Sequence, residues 1–299
     1  MNIVLAENFR ALFYAPFYAC LELGFFRAQG LDVSLVESAS PGQGIAGMLE
    51  GRTHVVWGGP LRVIKDREAG DAGDQALVAF GEVAARDPFF LIGPRHLSPF
   101  SLSDLRGLRL ASVSEVPTPW LCLQQDLREA GVDPAALRRT DRHSMAEHLE
   151  ALARGEVDVV QAFEPFVTQA EMQGLAQVLH SAHSRGWTAY TTFITTRRHL
   201  REQGDAFRAM ARAIEALPGW LNEHGCAALA SVVHPYYPHL SVDVMQRALA
   251  RYQAAHLWTC RPEISRQGFA RLAASMLDSG FVRTAATYEE CVAEWAWER

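Results

Sequence analysis

The stretch GEVDVVQAFEP, residues 155–165, places strand-forming residues between a glycine and a Glu-Pro pair. A closely related stretch, GRTHVVWGGP, occupies residues 51–60. In both, the glycine suits the left-handed position that ends a helix, and the Val-Val pair is typical of a strand buried on both faces. Any helix-to-strand loop of a parallel sheet has a similar composition, but the two stretches together indicate one structural unit present once in each of two lobes.

Short strands and longer helices alternate on both sides of the first stretch. Strand-like residues 3–6, 33–36 and 55–57 are separated by segments with a helical pattern. This alternation predicts βαβ units and a mostly parallel sheet, and hence an α/β fold.

The alternation is interrupted twice. Residues 77–93 hold two strand-like runs back to back, and another run at 190–196 precedes a final third whose pattern is helical from 205 to 297. A chain of 299 residues usually divides into two cores. We therefore predict two crossings between two lobes, formed by residues 1–88 with 190–299 and by residues 89–189.

The charge and the hydropathy of the sequence argue against nucleic-acid binding and against a transmembrane segment. The net charge is −6, from 34 acidic and 28 basic residues without a basic stripe, which argues against nucleic acid. The apolar segment 11–26 is interrupted by Pro16, Glu22 and Gly24. It is shorter than the roughly 20 apolar residues that span a bilayer, so no transmembrane segment is predicted.

The cysteines and the first residues of the sequence indicate the cellular compartment in which the protein is expected. The five cysteines are scattered, odd in number and without C-x-x-C spacing, which favours free thiols and a reducing compartment. The first residues have no secretory-leader pattern. The chain as it stands is therefore expected in the cytoplasm, or in the periplasm if Met1 replaces a removed export signal.

The sequence contains no complete catalytic or metal-binding motif. His180 and His183 form an H-x-x-H pair without a third ligand at helical spacing, which favours structural or surface histidines over a metal site. The nucleophile-elbow, H-E-x-x-H and Walker patterns are missing. We predict no catalytic residues, no metal and no cofactor, and whether the protein is an enzyme stays open.

Four loops that follow predicted strands are candidates for a binding site: 7–16, 57–60, 112–120 and 163–166. In open α/β sheets, ligands bind beyond the carboxyl ends of the strands. From these loops and the second crossing we predict twelve ligand-binding residues: Arg10, Phe13, Tyr14, Trp57, Gly58, Gly59, Ser114, Thr118, Trp120, Glu164, Trp187 and Tyr190.

Each type of candidate has a structural alternative. Glu164 ends a buried strand, where a carboxylate needs a partner: a ligand N–H group, an arginine, or the N-terminus of the next helix. Large aromatic residues at strand ends either stack on a flat ligand or pack in the core. Arg10 faces a ligand anion or stays solvated. Gly58 and Gly59 let the backbone approach a ligand closely, and Thr118 is a candidate N-cap.

Two further stretches carry a family resemblance: PFYACLELGFFRAQGLDVSLV, residues 16–36, and SLSDLRGLRLASV, residues 101–113. With the glycine-strand units, they resemble the periplasmic-binding-protein-like superfamily. The similarity is to the group that joins nitrate, sulfonate and taurine receptors to the thiamine-pyrimidine (NMT1/THI5-like) proteins. The resemblance covers about residues 1–200. It implies a two-lobed type II fold, with both crossings at a hinge and the ligand between the lobes.

The resemblance also implies a function. We expect a solute-binding protein of the ABC-importer receptor type, with a membrane subunit of a transporter as possible partner and a nitrogen-containing aromatic or heterocyclic ligand. Glu115, Val116 and two prolines stand where receptors for small anions offer hydroxyl groups, which argues against an inorganic anion. The alternatives are a cytoplasmic enzyme or a ligand sensor in thiamine-pyrimidine or related cofactor metabolism. The iron-binding CCCFC motif of self-sacrificing pyrimidine synthases is missing.

Overall fold

Strands and helices alternate through most of the computed structural model, which describes residues 1–38, 42–70, 73–284 and 286–294. The strands in these ranges are β1 (Asn2–Ala6), β2 (Asp32–Val36), β3 (Val55–Gly58), β4 (Leu77–Ala84), β5 (Phe90–Gly93), β6 (Arg109–Ala111), β7 (Arg138–Thr140), β8 (Val159–Ala162), β9 (Gln177–Ser181) and β10 (Thr191–Thr196). The α-helices are α1 (Ala15–Glu22), α2 (Phe25–Ala28), α3 (Gln43–Leu49), α4 (Leu61–Glu68), α5 (Thr118–Glu129), α6 (Met145–Ala153), α7 (Phe166–Met172), α8 (Arg197–Ile214), α9 (Ala216–Val233), α10 (Val242–Ala254), α11 (Arg266–Asp278) and α12 (Tyr288–Cys291).

The strands form two five-stranded sheets of equivalent topology. The first has the order β2-β1-β3-β10-β4 and the second the order β7-β6-β8-β5-β9. The first three strands of each sheet are parallel, and the fourth is antiparallel to the third. The predicted α/β fold with two lobes is confirmed.

The two glycine-strand stretches occupy equivalent places in these sheets. Gly51 and Gly155 have φ of 78° and 68°, in the left-handed region that favours glycine, and β3 and β8 follow them. All four residues of each strand are buried. The predicted repeat is therefore confirmed, and it places the loops after β3 and β8 at the same edge of their sheets.

The chain crosses between the sheets twice. Residues 85–89 connect β4 to β5, and residues 182–190 connect β9 to β10. The two predicted crossings are confirmed, while the lobe boundaries 1–88, 89–189 and 190–299 stay a prediction.

The C-terminal third contacts both lobes. Helix α10 packs against α7 and α11 packs against α5, so helices that follow the first sheet in sequence also hold the second. Residues 257–263 are not helical, and they bond to the edge of β4: Thr259 N–H donates to Val83 O, and Glu82 N–H donates to Pro262 O. The predicted helical pattern therefore fails here, because the open edge of β4 supplies backbone partners. The last residues of the predicted helical pattern, 295–297, lie outside the described ranges.

None of the helices in the described ranges combines the length and the apolar character that crossing a bilayer requires.

Candidate functional site

The carboxyl ends of β1 and β3 and those of β6 and β8 lie on the two sides of the boundary between the lobes, which we call the cleft. Gly59, in the loop after β3, lies where the lobes touch: a Cβ atom there would be at ordinary contact distance, 3.4 Å from Tyr190 O and 3.7 Å from Thr118 Oγ1. The loop of the first sheet therefore meets both α5 and the second crossing. The predicted residues Gly59, Thr118 and Tyr190 are brought together.

Aromatic rings from both lobes form a continuous cluster beside this contact. The ring centroids of Phe13 and Tyr14 are 4.4 Å apart, and Phe13 lies 6.0 Å from Phe163 of the second lobe. Phe89 of the first crossing lies 5.4 Å from Phe163 and 6.0 Å from Tyr190. The Tyr190 hydroxyl is buried and makes no hydrogen bond with the described residues. An unsatisfied hydroxyl group of this kind is suited to a polar ligand atom.

Arg62 is the cation at the first-lobe wall of the cleft. It lies in the first turn of α4, and its Nη2 donates to Asn8 Oδ1 at 3.2 Å. Asn8 Nδ2 in turn donates to the Tyr14 hydroxyl at 3.4 Å. Gly42 leaves room for the guanidinium, because an added Cβ atom would lie 3.3 Å from Arg62 Nη1, whereas a Cβ atom at Gly58 would be at ordinary contact distance, 3.9 Å from Arg62 Nε.

The Arg62 guanidinium has no anionic partner among the described residues. Burial lowers the pKa of Arg62, and the nearby Tyr14 hydroxyl opposes that effect. A partly buried cation whose contact is a neutral amide is a binding point for an anionic group.

Glu164 makes the contacts of the structural alternative. Its side chain is fully buried; Oε1 accepts from Arg251 Nε at 2.7 Å and from Thr168 Oγ1 at 2.9 Å, and Oε2 accepts from Thr168 N–H at 2.9 Å. Burial raises the pKa of Glu164, although the bonds from Thr168 and the charge of Arg251 oppose this. Glu164 thus caps α7 and pairs with α10 across the lobes, and a ligand role for it stays a prediction.

Three further predicted residues lie at or near the cleft: Arg10 and Ser114 have protein partners, and Thr118 begins a helix. Arg10 pairs with Glu7 at 3.2 Å and with Glu37. The Ser114 hydroxyl donates to His143 O at 2.8 Å. Thr118 is the first residue of α5, so the predicted N-cap position falls one residue earlier, at a proline.

The three predicted tryptophans differ in their surroundings. Trp57 stacks on Phe17 with ring centroids 4.6 Å apart, and its ring centroid lies 5.8 Å from that of Tyr14 in the cleft cluster. Trp120 packs under the Arg139 guanidinium, which lies 4.4 Å from the ring centroid. The Trp187 side chain is on the outer surface of the second crossing and is 44% exposed. Of the three, Trp57 thus contacts the cleft cluster, and a ligand role for each of them stays a prediction.

Several site residues were missed from the sequence: Asn8, Arg62, Phe89, Phe163 and Arg251. Asn8 and Phe163 belong to the loops selected as candidates, and Arg62 follows the Gly-Gly-Pro loop by two residues. The position of Arg62 at a helix start next to such a loop was the signal that could have identified it. Arg251 gave no such signal, because its partner Glu164 is 87 residues away in sequence.

No metal site is built from the described residues: they contain no group of three or more His, Cys, Asp or Glu side chains arranged to hold a metal ion. The side chains at the cleft are instead suited to hydrogen bonding, ring stacking and pairing with an anion.

A family model described as NMT1/THI5 like matches residues 13–224 of the chain. The chain belongs to the NMT1/THI5-like family. The matched segment of this family member begins at Phe13 in the cleft cluster, includes both crossings and ends within α9.

Three known proteins are similar to this NMT1/THI5-like protein over almost its whole length. YtlA of Bacillus subtilis strain 168, named as a proposed binding protein, is 23% identical over 293 residues, which cover 97% of this chain and 87% of YtlA. The periplasmic aliphatic sulphonate-binding protein SsuA of Escherichia coli is 17% identical, with a TM-score of 0.75 and coverage of 97% and 96% of the two chains. The alkanesulfonate-binding protein SsuA of Xanthomonas axonopodis pv. citri, bound to MOPS, is 16% identical, with a TM-score of 0.73 and coverage of 98% of each chain. The two solved structures show that the family member has the periplasmic-binding-protein fold.

Proposed function

We propose that this protein is the solute-binding component of an ABC importer and holds a small molecule between its lobes without changing it. The observation that carries the proposal is the unpaired Arg62 guanidinium, set beside aromatic rings from both lobes where the carboxyl ends of the strands face each other. The two structurally similar proteins, both sulphonate-binding, support the same use of the fold.

The cleft favours a flat ligand that carries an acidic group. Arg62 would pair with that group, while the rings of Phe13, Tyr14 and Tyr190 would contact a planar body. A nitrogen-bound hydrogen on the ligand would have an acceptor in Gln161 Oε1, which is buried at the end of β8 and accepts no hydrogen bond from the described residues. We therefore propose a nitrogen-containing aromatic or heterocyclic acid.

The proposal can be tested by isothermal titration calorimetry with pyridine-3-carboxylate, pyridine-3-sulfonate and MOPS. Pyridine-3-carboxamide has the same ring but no charge and serves as the matched ligand control. A thermal-shift screen precedes the titrations, because a ligand at a hundred times its dissociation constant adds about 2.7 kcal/mol to the free energy of unfolding. We expect at least one acid to bind and the amide to bind more weakly.

Substitution of Arg62 tests whether its guanidinium group binds the acidic group of the ligand. Arg62→Ala should weaken binding of the acid by about 10- to 150-fold, the loss of a charge-assisted hydrogen bond of about 1.5–3 kcal/mol. Arg27→Ala removes an exposed arginine of the first lobe and should leave the affinity unchanged. Equal affinities of Arg62→Ala and the unaltered protein, or tighter binding of the amide than of the acid, would contradict the proposed ligand class.

A further inference from the structure

A cavity lies at the hinge, and none of the cleft residues Phe13, Tyr14, Gly59 and Arg62 lines it. It is bounded by the end of β4, by Arg86 and Trp187 of the two crossings, and by the segment 256–265, and its volume is about 680 Å³. Cavities of about 300–1,000 Å³ are the usual size for small-molecule sites. The segment that closes it turns at His256, whose φ of 48° is in the left-handed region that non-glycine residues rarely adopt.

The wall of this cavity contains a buried carboxyl group with an unused oxygen. Glu82 is 1% exposed; its Oε2 accepts from Ser265 N–H at 3.4 Å, whereas its Oε1 has no partner among the described residues. Burial raises the pKa of Glu82 well above its usual range. Burial thus favours the protonated form of this carboxyl group, and a protonated carboxyl group can donate a hydrogen bond.

Two guanidinium groups line the same cavity. Arg86 and Arg261 have no ion pair with the described residues, and Arg86 Nε is buried without a hydrogen-bond partner. Glu263, which is exposed, is the other acidic residue on the wall. The wall thus offers two guanidinium groups that have no ion pair with the described residues, and the buried Nε of Arg86 is a donor without an acceptor. This arrangement favours a carboxylate.

Two tryptophans supply the apolar part of the cavity. Trp187 is 44% exposed, and the Arg86 guanidinium lies 5.6 Å from its ring centroid. Trp258 is partly buried, with its Nε1 fixed by a hydrogen bond of 3.0 Å to Phe13 O. A tryptophan that is held in place next to an exposed one is suited to contact with a flat aromatic ring.

We propose that this hinge cavity is a second small-molecule site, which binds an aromatic carboxylate of one or two fused rings. The carboxylate accepts a hydrogen bond from Arg86 and pairs with Arg261, while the ring contacts Trp187 and Trp258. The site is separate from the cleft, and it does not depend on the function proposed above.

Cys260 provides a reporter for occupancy of this cavity. It lines the cavity and is exposed, whereas the other four cysteines are buried. The rate at which iodoacetamide alkylates Cys260 is measured by mass spectrometry with increasing 2-naphthoate, and 2-naphthamide is the uncharged ligand control. At ten times the dissociation constant about one cavity in eleven is empty, so the rate should fall about tenfold.

Two variants show whether 2-naphthoate protects Cys260 from the hinge cavity or from the cleft. Arg261→Ala removes an exposed side chain without an ion pair among the described residues, so it should leave the fold intact and raise the half-protecting concentration of 2-naphthoate about tenfold or more. Arg62→Ala, which alters the cleft instead, should leave that concentration unchanged.

Three results would overturn the proposal. The first is an unchanged alkylation rate up to about 10 mM 2-naphthoate, since a site that is empty at this concentration has almost no affinity. The second is equal protection by 2-naphthamide, which would show that no charge is recognised. The third is loss of protection in Arg62→Ala with retention in Arg261→Ala, which would place the bound molecule in the cleft.

Discussion

Replacement of Glu164 by glutamine separates the structural role of this residue from a ligand role. The carboxylate accepts three hydrogen bonds, two from Thr168 and one from Arg251 of α10, and its side chain is fully buried. Glutamine keeps the shape and one acceptor oxygen, but its nitrogen is a donor. Whichever way the amide turns, it faces a donor of Thr168 or Arg251, and the charge that pairs with Arg251 is lost.

The expected destabilisation is about 2 kcal/mol. A hydrogen bond between charged groups contributes about 1.5–3 kcal/mol, and removal of one partner of a fully buried pair costs about 3–5 kcal/mol. The lower part of this span applies because Arg251 is 28% exposed and retains its second carboxylate partner, Glu171. Glu171→Gln is the matched control: this carboxylate is 33% exposed, so its loss should cost at most about 1 kcal/mol.

Urea unfolding followed by circular dichroism measures both variants, and calorimetry with the cleft ligand measures binding. We expect the midpoint of Glu164→Gln to fall clearly below that of Glu171→Gln, with the slope of the transition unchanged. The reasoning is refuted if Glu164→Gln unfolds at the same urea concentration as the unaltered protein. If its ligand affinity also fell about 10-fold or more, Glu164 would be a ligand-binding residue instead.

Three further predictions concern stability and reactivity. Burial raises the pKa of Asp87 to about 6, so between about pH 4 and 6 the folded protein holds a proton that the unfolded chain releases. The free energy of unfolding of the unaltered protein should therefore fall as the pH rises through this window. Asp87→Asn lacks this titration, so the free energy of the unaltered protein minus that of Asp87→Asn, measured by urea unfolding, should decrease as the pH rises. A constant or increasing value of this difference would contradict the prediction. Gly268→Ala should lower the free energy of unfolding by about 1–3 kcal/mol, because its Cβ would lie 2.9 Å from Ala189 N; Gly107→Ala, with open space at that position, should cost far less in the same urea experiment. Ellman's reagent should modify one thiol per folded chain, Cys260, and five in urea; two or more fast-reacting thiols in the folded protein would show that a buried cysteine is accessible.

Local chemistry in the sequence determined the two-lobed α/β fold. Gly51 and Gly155 end helices through a backbone conformation that depends on the residue itself, and the Val-Val pairs after them require burial on both faces of a strand. Such signals act over a few residues and can be read without the tertiary structure. They also located the loops that carry part of the cleft, including Tyr14 and Gly59.

Only the tertiary structure decided which side chains meet. Glu164 obtains its charged partner from a helix 87 residues away, and the sequence left a ligand, an arginine and a helix terminus equally open as partners. Tyr190 and Trp187 are three residues apart in one crossing, yet one is buried in the cleft cluster and the other is exposed at the hinge cavity. The direction of a side chain in an irregular segment is set by the packing of distant elements around it, and distant partners leave no mark on the local pattern of residues.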